Sequence, residues 1–293
     1  MSDRRILIAY AHPDDEAFGL GAVIARYVDA GVDVYLICAT NGDVGTVSPE
    51  QLNGYQSVAE LRLSELDCAA AKLRLKQVFT FGYKDSGMMG SETSRDPACL
   101  WQADPAAVTR RIVAVIRAVQ PQVVITFNRY GGYGHPDHIA IQRATIDAFA
   151  LAADPAYSTD QPPYQAQKLY ASSIPQTQLK IALAVLRLRG QDPRKLGKNK
   201  DIDLRAVLDH IEPTHAIVDI RDYHRAWDEA GDCHRSQQGG GPGLRFPYWL
   251  RRRLIPWQGF TRLYPIPLTD QIDETDLFAN VRSAVPTAPE TAR

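Results

Sequence analysis

Through its first half the chain alternates short apolar runs with segments of helical period, and that alternation leaves few folds open. Arg5 to Ala11, Val32 to Thr40, Gln77 to Tyr83 and Gln122 to Phe127 read as strands. Gly19 to Ala30, Ser57 to Leu75, Pro105 to Val119 and Pro136 to Ala152 read as helices. Asp104 is placed to cap the third of these, with Pro105 at its first position. Strands separated by helices pair in parallel, and a parallel sheet needs cover on both faces. The expected fold class is therefore α/β, a three-layer sandwich with a mostly parallel sheet. Ligands of such sheets bind beyond the carboxyl ends of the strands. Four segments are predicted to converge there: Ala11 to Glu16, Thr40 to Gly45, Tyr83 to Met89 and Asn128 to His138.

The second half is less regular. Lys168 to Ser173 and His215 to Ile220 read as strands, Gln178 to Arg189 and His224 to Arg235 as helices, and Gln191 to Asp203 as a charged loop. The run Gly239-Gly240-Gly241-Pro242-Gly243 reads as a flexible lid, since no phosphate-loop helix follows it. Arg251-Arg252-Arg253 reads as a solvated patch.

Composition excludes several classes. Lys plus Arg total 33 against 34 Asp plus Glu, so the basic excess of a nucleic-acid binder is missing. No apolar stretch is long enough for a membrane span, and His12-Pro13-Asp14-Asp15 interrupts the N-terminal apolar run before it could serve as a signal segment. A cytoplasmic protein is expected. Cys38, Cys68, Cys99 and Cys233 include no C-x-x-C pair, so reduced thiols are expected.

The chemistry concentrates at two strand ends. Ala11-His12-Pro13-Asp14-Asp15-Glu16 crowds three carboxylates and an imidazole after the first strand. Such crowding is unfavourable unless a cation neutralises it. Gly131-Gly132-Tyr133-Gly134-His135-Pro136-Asp137-His138 follows the fourth strand. Either cluster alone could be a helix cap, but capping does not explain both at matched strand ends. Two His and one Asp with an open position for water form the pattern of a catalytic zinc.

The two segments resemble the signature pair of the PIG-L/LmbE-like deacetylase superfamily, which includes N-acetylglucosaminyl-phosphatidylinositol de-N-acetylases and the mycothiol and bacillithiol deacetylases. Thr40 to Gly45, Arg62 with Glu65, and Gly82 to Met88 extend the similarity over the first half of the chain. His234-Arg235-Ser236-Gln237 and Asp276-Leu277-Phe278 carry it loosely into the second. The resemblance implies a Rossmann-like fold and a zinc-dependent hydrolase that removes acetyl from an N-acetylglucosamine-type substrate. It implies His12, Asp15 and His138 as metal ligands and Asp14 as general base. His135 would stabilise the oxyanion or protonate the leaving amine, Tyr133 would contact the tetrahedral intermediate, and Asp137 would orient a His. Arg62, Asp85 and Asp43 would bind substrate. Fe2+ suits the same ligands as Zn2+.

Residues 1–155 are thus expected to form the metal-binding catalytic core, 156–282 to complete the sheet and cover the pocket, and 283–293 to form a flexible tail. The expected partner is a small amino sugar, and a homo-oligomer is compatible with the sequence. The competing readings are a mycothiol S-conjugate-type amidase acting on another amide and an inactive sugar-binding relative. The second is disfavoured because His12, Asp14, Asp15, His135 and His138 are all present.

Overall fold

A computed structural model describes residues 4–52, 54–173, 176–196, 200, 202–238 and 247–282. The expected Gly239–Gly243 lid and the 283–293 tail lie outside the described residues.

Seven strands form one sheet: β1 (Arg5–Tyr10), β2 (Asp33–Thr40), β3 (Gln77–Tyr83), β4 (Val123–Thr126), β5 (Lys168–Ser173), β6 (Ala216–Asp219) and β7 (Trp257–Tyr264). The helices are α1 (Asp15–Asp29), one-turn α2 (Pro49–Leu52), α3 (Val58–Leu73), α4 (Pro105–Val119), one-turn α5 (Gly131–Gly134), α6 (Pro136–Ala153), α7 (Gln176–Leu188), α8 (Leu204–Asp209), α9 (His224–Gly231) and α10 (Tyr248–Leu254). The strand order is β3-β2-β1-β4-β5-β7-β6. The first five strands are mutually parallel. β7 runs antiparallel between β5 and β6.

Burial follows position in the sheet. The central strand β1 buries Ile6 through Tyr10, as a strand covered on both faces must. The edge strand β3 leaves several residues exposed. α1 packs with α3 and α9, while α4 packs with α6. Asp104 caps α4 by accepting from the Ala106 N–H at 3.0 Å. Ser57 caps α3 by accepting from the Glu60 N–H at 3.1 Å.

The order reverses between β1 and β4, since β1 continues to β2 on one side while β4 lies on the other. The loops after these two strands diverge there and open a crevice, the place where sheets of this kind bind ligands.

Three expectations need correction. α1 starts at Asp15 rather than Gly19, because Asp15 and Glu16 are favoured in a helix's first turn. β7 was not anticipated, since its sequence Trp-Gln-Gly-Phe-Thr-Arg-Leu-Tyr lacks a clean apolar pattern. The thiols are not all reduced: Cys68 and Cys233 form a disulfide, while Cys38 and Cys99 are free and buried. Packing of α9 on α3 brings the two Cα atoms to 5.7 Å across 165 residues of sequence, a proximity that spacing alone cannot reveal. A bridge closing so long a loop restricts the unfolded chain and is worth about 2–4 kcal/mol. Dithiothreitol is therefore expected to lower the thermal midpoint of the protein, and to have no such effect on Cys68→Ser.

Candidate active site

Two imidazoles and a carboxylate meet in the crevice. His12 follows β1, Asp15 opens α1, and His138 lies in the first turn of α6. His12 Nδ1 is 3.1 Å from His138 Nε2 and 3.4 Å from an Asp15 oxygen, and His138 Nε2 is 3.3 Å from the other Asp15 oxygen. A tetrahedral ion with bonds of about 2.0–2.1 Å has ligand atoms about 3.3 Å apart, so the two ring nitrogens and the Asp15 carboxylate form one face of such a site. A divalent metal fits the residues present, and the fourth corner is left for another ligand.

The neighbours fix how each ring faces this point. His138 Nδ1 lies 3.1 Å from the Gly131 carbonyl, so it carries the proton and leaves Nε2 as the donor atom. His12 Nε2 lies 3.1 Å from Asp137 and 3.4 Å from Asp85, which turns Nδ1 toward the metal position. Asp137 is fully buried and also accepts from the Ser86 N–H at 2.8 Å and from the Ser86 hydroxyl. Its carboxylate therefore orients His12 rather than His135. Phe127 stacks on the His138 ring at 3.9 Å. Gly131 has φ of 68°, and a Cβ there would stand 2.8 Å from Ile139 Cγ1, so the loop that presents its carbonyl requires glycine.

Asp14 stands beside the triangle. Its φ is 135°, a conformation that costs a non-glycine residue about 1–3 kcal/mol and is held only by surrounding contacts. Arg62 donates to its carboxylate at 2.8 Å, and also to the Pro13 and Gly42 carbonyls. Burial pushes the Asp14 carboxyl up to about 6, although Arg62 pulls in the opposite direction. A carboxylate with that affinity is suited to taking a proton from water near neutral pH.

His135 lies on the other flank. Its Nδ1 accepts from the Asp137 N–H at 3.2 Å, so the neutral ring carries its proton on Nε2. Burial, reinforced by His12 and His138, holds it well below the ordinary imidazole range. Tyr133 packs edge-on against His138 with ring centroids 5.1 Å apart, and burial keeps its hydroxyl protonated.

The expected substrate residues separate. Arg62 and Asp85 line a cleft of about 580 Å³ together with Asp14, His135, Thr46 and Gln237. Asp43 does not line it; its carboxylate accepts from the Asp85 N–H at 2.9 Å and braces the loop after β3. Two contributors were missed from sequence. Ser86 was visible only as part of a turn, and Glu16 only as one more carboxylate. His135 also stands close enough to His12 and His138 to share an ion, but its Nδ1 is committed to the backbone.

An open, mostly parallel sheet with an imidazole–carboxylate cluster at its switch point, able to hold a divalent metal, defines a class of metal-site hydrolases. Within that class the chain belongs to the PIG-L family, described as GlcNAc-PI de-N-acetylase, whose pattern matches residues 7–149. It is 45% identical over 193 residues to the 1D-myo-inositol 2-acetamido-2-deoxy-alpha-D-glucopyranoside deacetylase of Thermobifida fusca, covering 63% of this chain and 67% of that protein. The enzyme of the same name from Thermomonospora curvata is 41% identical over 245 residues, 80% of this chain and 81% of its own. N,N'-diacetylchitobiose deacetylase from Pyrococcus horikoshii shares the fold, with a TM-score of 0.60 at 20% identity over 91% of this chain and 88% of that one.

Proposed function

We propose that the chain is a zinc-dependent deacetylase that releases acetate from an N-acetylglucosaminyl inositol of the kind its curated relatives are named for. The observation that carries this reading is the His12–Asp15–His138 triangle with the Asp14 carboxylate beside it in a polar cleft. His12 Nδ1, Asp15 and His138 Nε2 would hold the metal. When bound, it supplies an activated water and polarises the acyl oxygen. Asp14 takes the proton of the attacking water. His135 Nε2–H donates to the acyl oxygen as charge develops there, and Tyr133 Oη–H is a second donor on the same side. Proton delivery to the departing amine falls to Asp14 once it is protonated. Arg62 and Asp85 face the sugar and its aglycone from the polar cleft. A cytoplasmic site of action goes with this reading; the Cys68–Cys233 bridge is the observation set against it, because such bonds are uncommon in reducing compartments. No helix among the described residues is long and apolar enough to cross a membrane.

A second cavity of about 270 Å³ favours an alternative on the acyl side. It borders Asp15, His138 and Tyr133 and is lined by Phe18, Phe127 and Val207. That is more room than a methyl group needs, and an S-conjugate-type amidase would use it. One experiment separates the readings. Amine release is measured from N-acetylglucosaminyl inositol, N-acetylglucosaminyl malate and a thiol-conjugated amide, with metal content determined on the same sample. Acetate release from the inositol compound in proportion to bound zinc is expected. Turnover of the conjugate alone would transfer the assignment to the amidase, and no turnover of any amide by zinc-loaded protein would end both.

A further inference from the structure

The unusual backbone of Asp14 is held from a direction that the proposed reaction does not use. Glu16 is fully buried, two residues further along the first turn of α1. One of its carboxylate oxygens accepts from the Asp14 N–H at 3.1 Å. The other lies 2.7 Å from His234 Nε2, and His234 is also fully buried. His234 sits just beyond α9, where its chain is anchored twice to α3. Cys233 is bonded to Cys68, and Ser236 donates to the Glu65 carboxylate from its N–H at 2.8 Å and from its hydroxyl at 2.6 Å. α3 also carries Arg62, which grips the Asp14 carboxylate. The side chain and the backbone of Asp14 are thus tied to the same pair of packed helices by two separate routes.

We propose that Glu16 is a positioning residue for Asp14, with His234 as its anchor. Asp14 has φ of 135°, which its own side chain disfavours, so the conformation that presents its carboxylate to Arg62 and the polar cleft needs its N–H held. Glu16 supplies that hold through a fixed acceptor, and His234 prevents the acceptor from swinging away. Neither side chain borders the polar cleft, so neither is placed to touch substrate. The inference rests on Asp14 being the general base.

Glu16→Ala frees the Asp14 N–H, and a displacement of about 1 Å at a reacting group can lower turnover about 10²-fold. The expected result for purified, zinc-loaded Glu16→Ala is a kcat reduced by 10- to 100-fold, a KM within twofold of the parent, and full zinc content by elemental analysis. His234→Ala is expected to change kcat in the same direction with KM again unmoved. Glu16→Gln keeps an acceptor for the Asp14 N–H and a donor for a neutral His234, so it is expected to recover most of the lost kcat. A Glu16→Ala enzyme with parental kcat, or with its loss confined to KM, overturns the proposal. So does a Glu16→Gln enzyme as impaired as Glu16→Ala at equal zinc content and equal circular dichroism. If Glu16→Ala does not fold or load, Glu16→Gln is compared with the parent: kcat within about threefold upholds the proposal, and a loss of about 10-fold or more at parental zinc content and circular dichroism overturns it. Asp14→Asn is measured in parallel: full activity there would remove the general-base reading itself, independently of any result at Glu16.

Discussion

Asp14→Ala is expected to bind its metal at parental stoichiometry and to lose about 10²–10⁴-fold in kcat, the range for removal of a general base. The two parts of that expectation come from different observations. Metal retention follows because no Asp14 atom belongs to the His12–Asp15–His138 triangle. Folding is expected to survive because Arg62, the partner left behind, still donates to the Pro13 and Gly42 carbonyls. The turnover loss follows because Asp14, which lines the polar cleft beside Asp15, is the carboxylate to which the proposed reaction gives the proton of the attacking water. His12→Ala and His138→Ala supply the contrast. Each removes a corner of the triangle, so metal and activity are expected to vanish together. Elemental analysis and acetate release on the same preparations check both halves. An Asp14→Ala protein that lost its metal would move Asp14 into the ligand set, and one with undiminished turnover would remove it from the chemistry.

What could be read in advance was local. The β1 and β4 runs end in polar clusters, and a parallel sheet sends both ends to one edge, so a meeting of the two clusters was to be expected, whereas the strand order that sets β4 beside β1 was not legible. The three-residue spacings within each cluster then brought Asp15 to the same point. Other features depend on contacts between distant segments. Glu16 meets His234 across 218 residues, and Cys68 meets Cys233 across 165, through packing of α9 against α1 and α3. Sequence periodicity identifies α9 but not the surface it covers. Asp43 shows a different difficulty. A carboxylate in a turn near the cleft suits a sugar hydroxyl as well as a backbone N–H, and only its 2.9 Å bond to Asp85 N–H places it behind the cleft wall. The antiparallel β7 was obscured because it buries Thr261 and Arg262, residues that composition assigns to the surface.

Arg262 belongs to a buried charged cluster at the opposite edge of the sheet, and there the largest loss of stability is expected. Lys168, at the start of β5, pairs with the Glu274 carboxylate. The same carboxylate takes a hydrogen bond from the Tyr170 hydroxyl and lies 2.9 Å from Arg262 Nη1. Glu274, Lys168 and Arg262 are 5%, 3% and 8% exposed, so water reaches none of these charges freely. Glu274→Ala removes the only anion paired with Lys168 among the described residues, whereas Arg262 retains Asp273 at 2.8 Å. Breaking a buried pair from one side costs about 3–5 kcal/mol, because the remaining charge stays desolvated without compensation. For a chain of this size that corresponds to a thermal midpoint lower by on the order of 10 °C. The physical cause can be isolated with the partner variant. If an uncompensated Lys168 charge is responsible, Lys168→Met introduced into Glu274→Leu is expected to recover most of the loss, since a well-packed apolar pair is often as stable as the ion pair it replaces. Thermal denaturation of the two single variants and the double variant gives the coupling directly. If the double variant were destabilised by the sum of the two singles, the charge account would be wrong and the loss would lie in packing. The candidate metal site lies beyond the other ends of the strands, so acetate release per folded molecule is expected to be the same in all three variants.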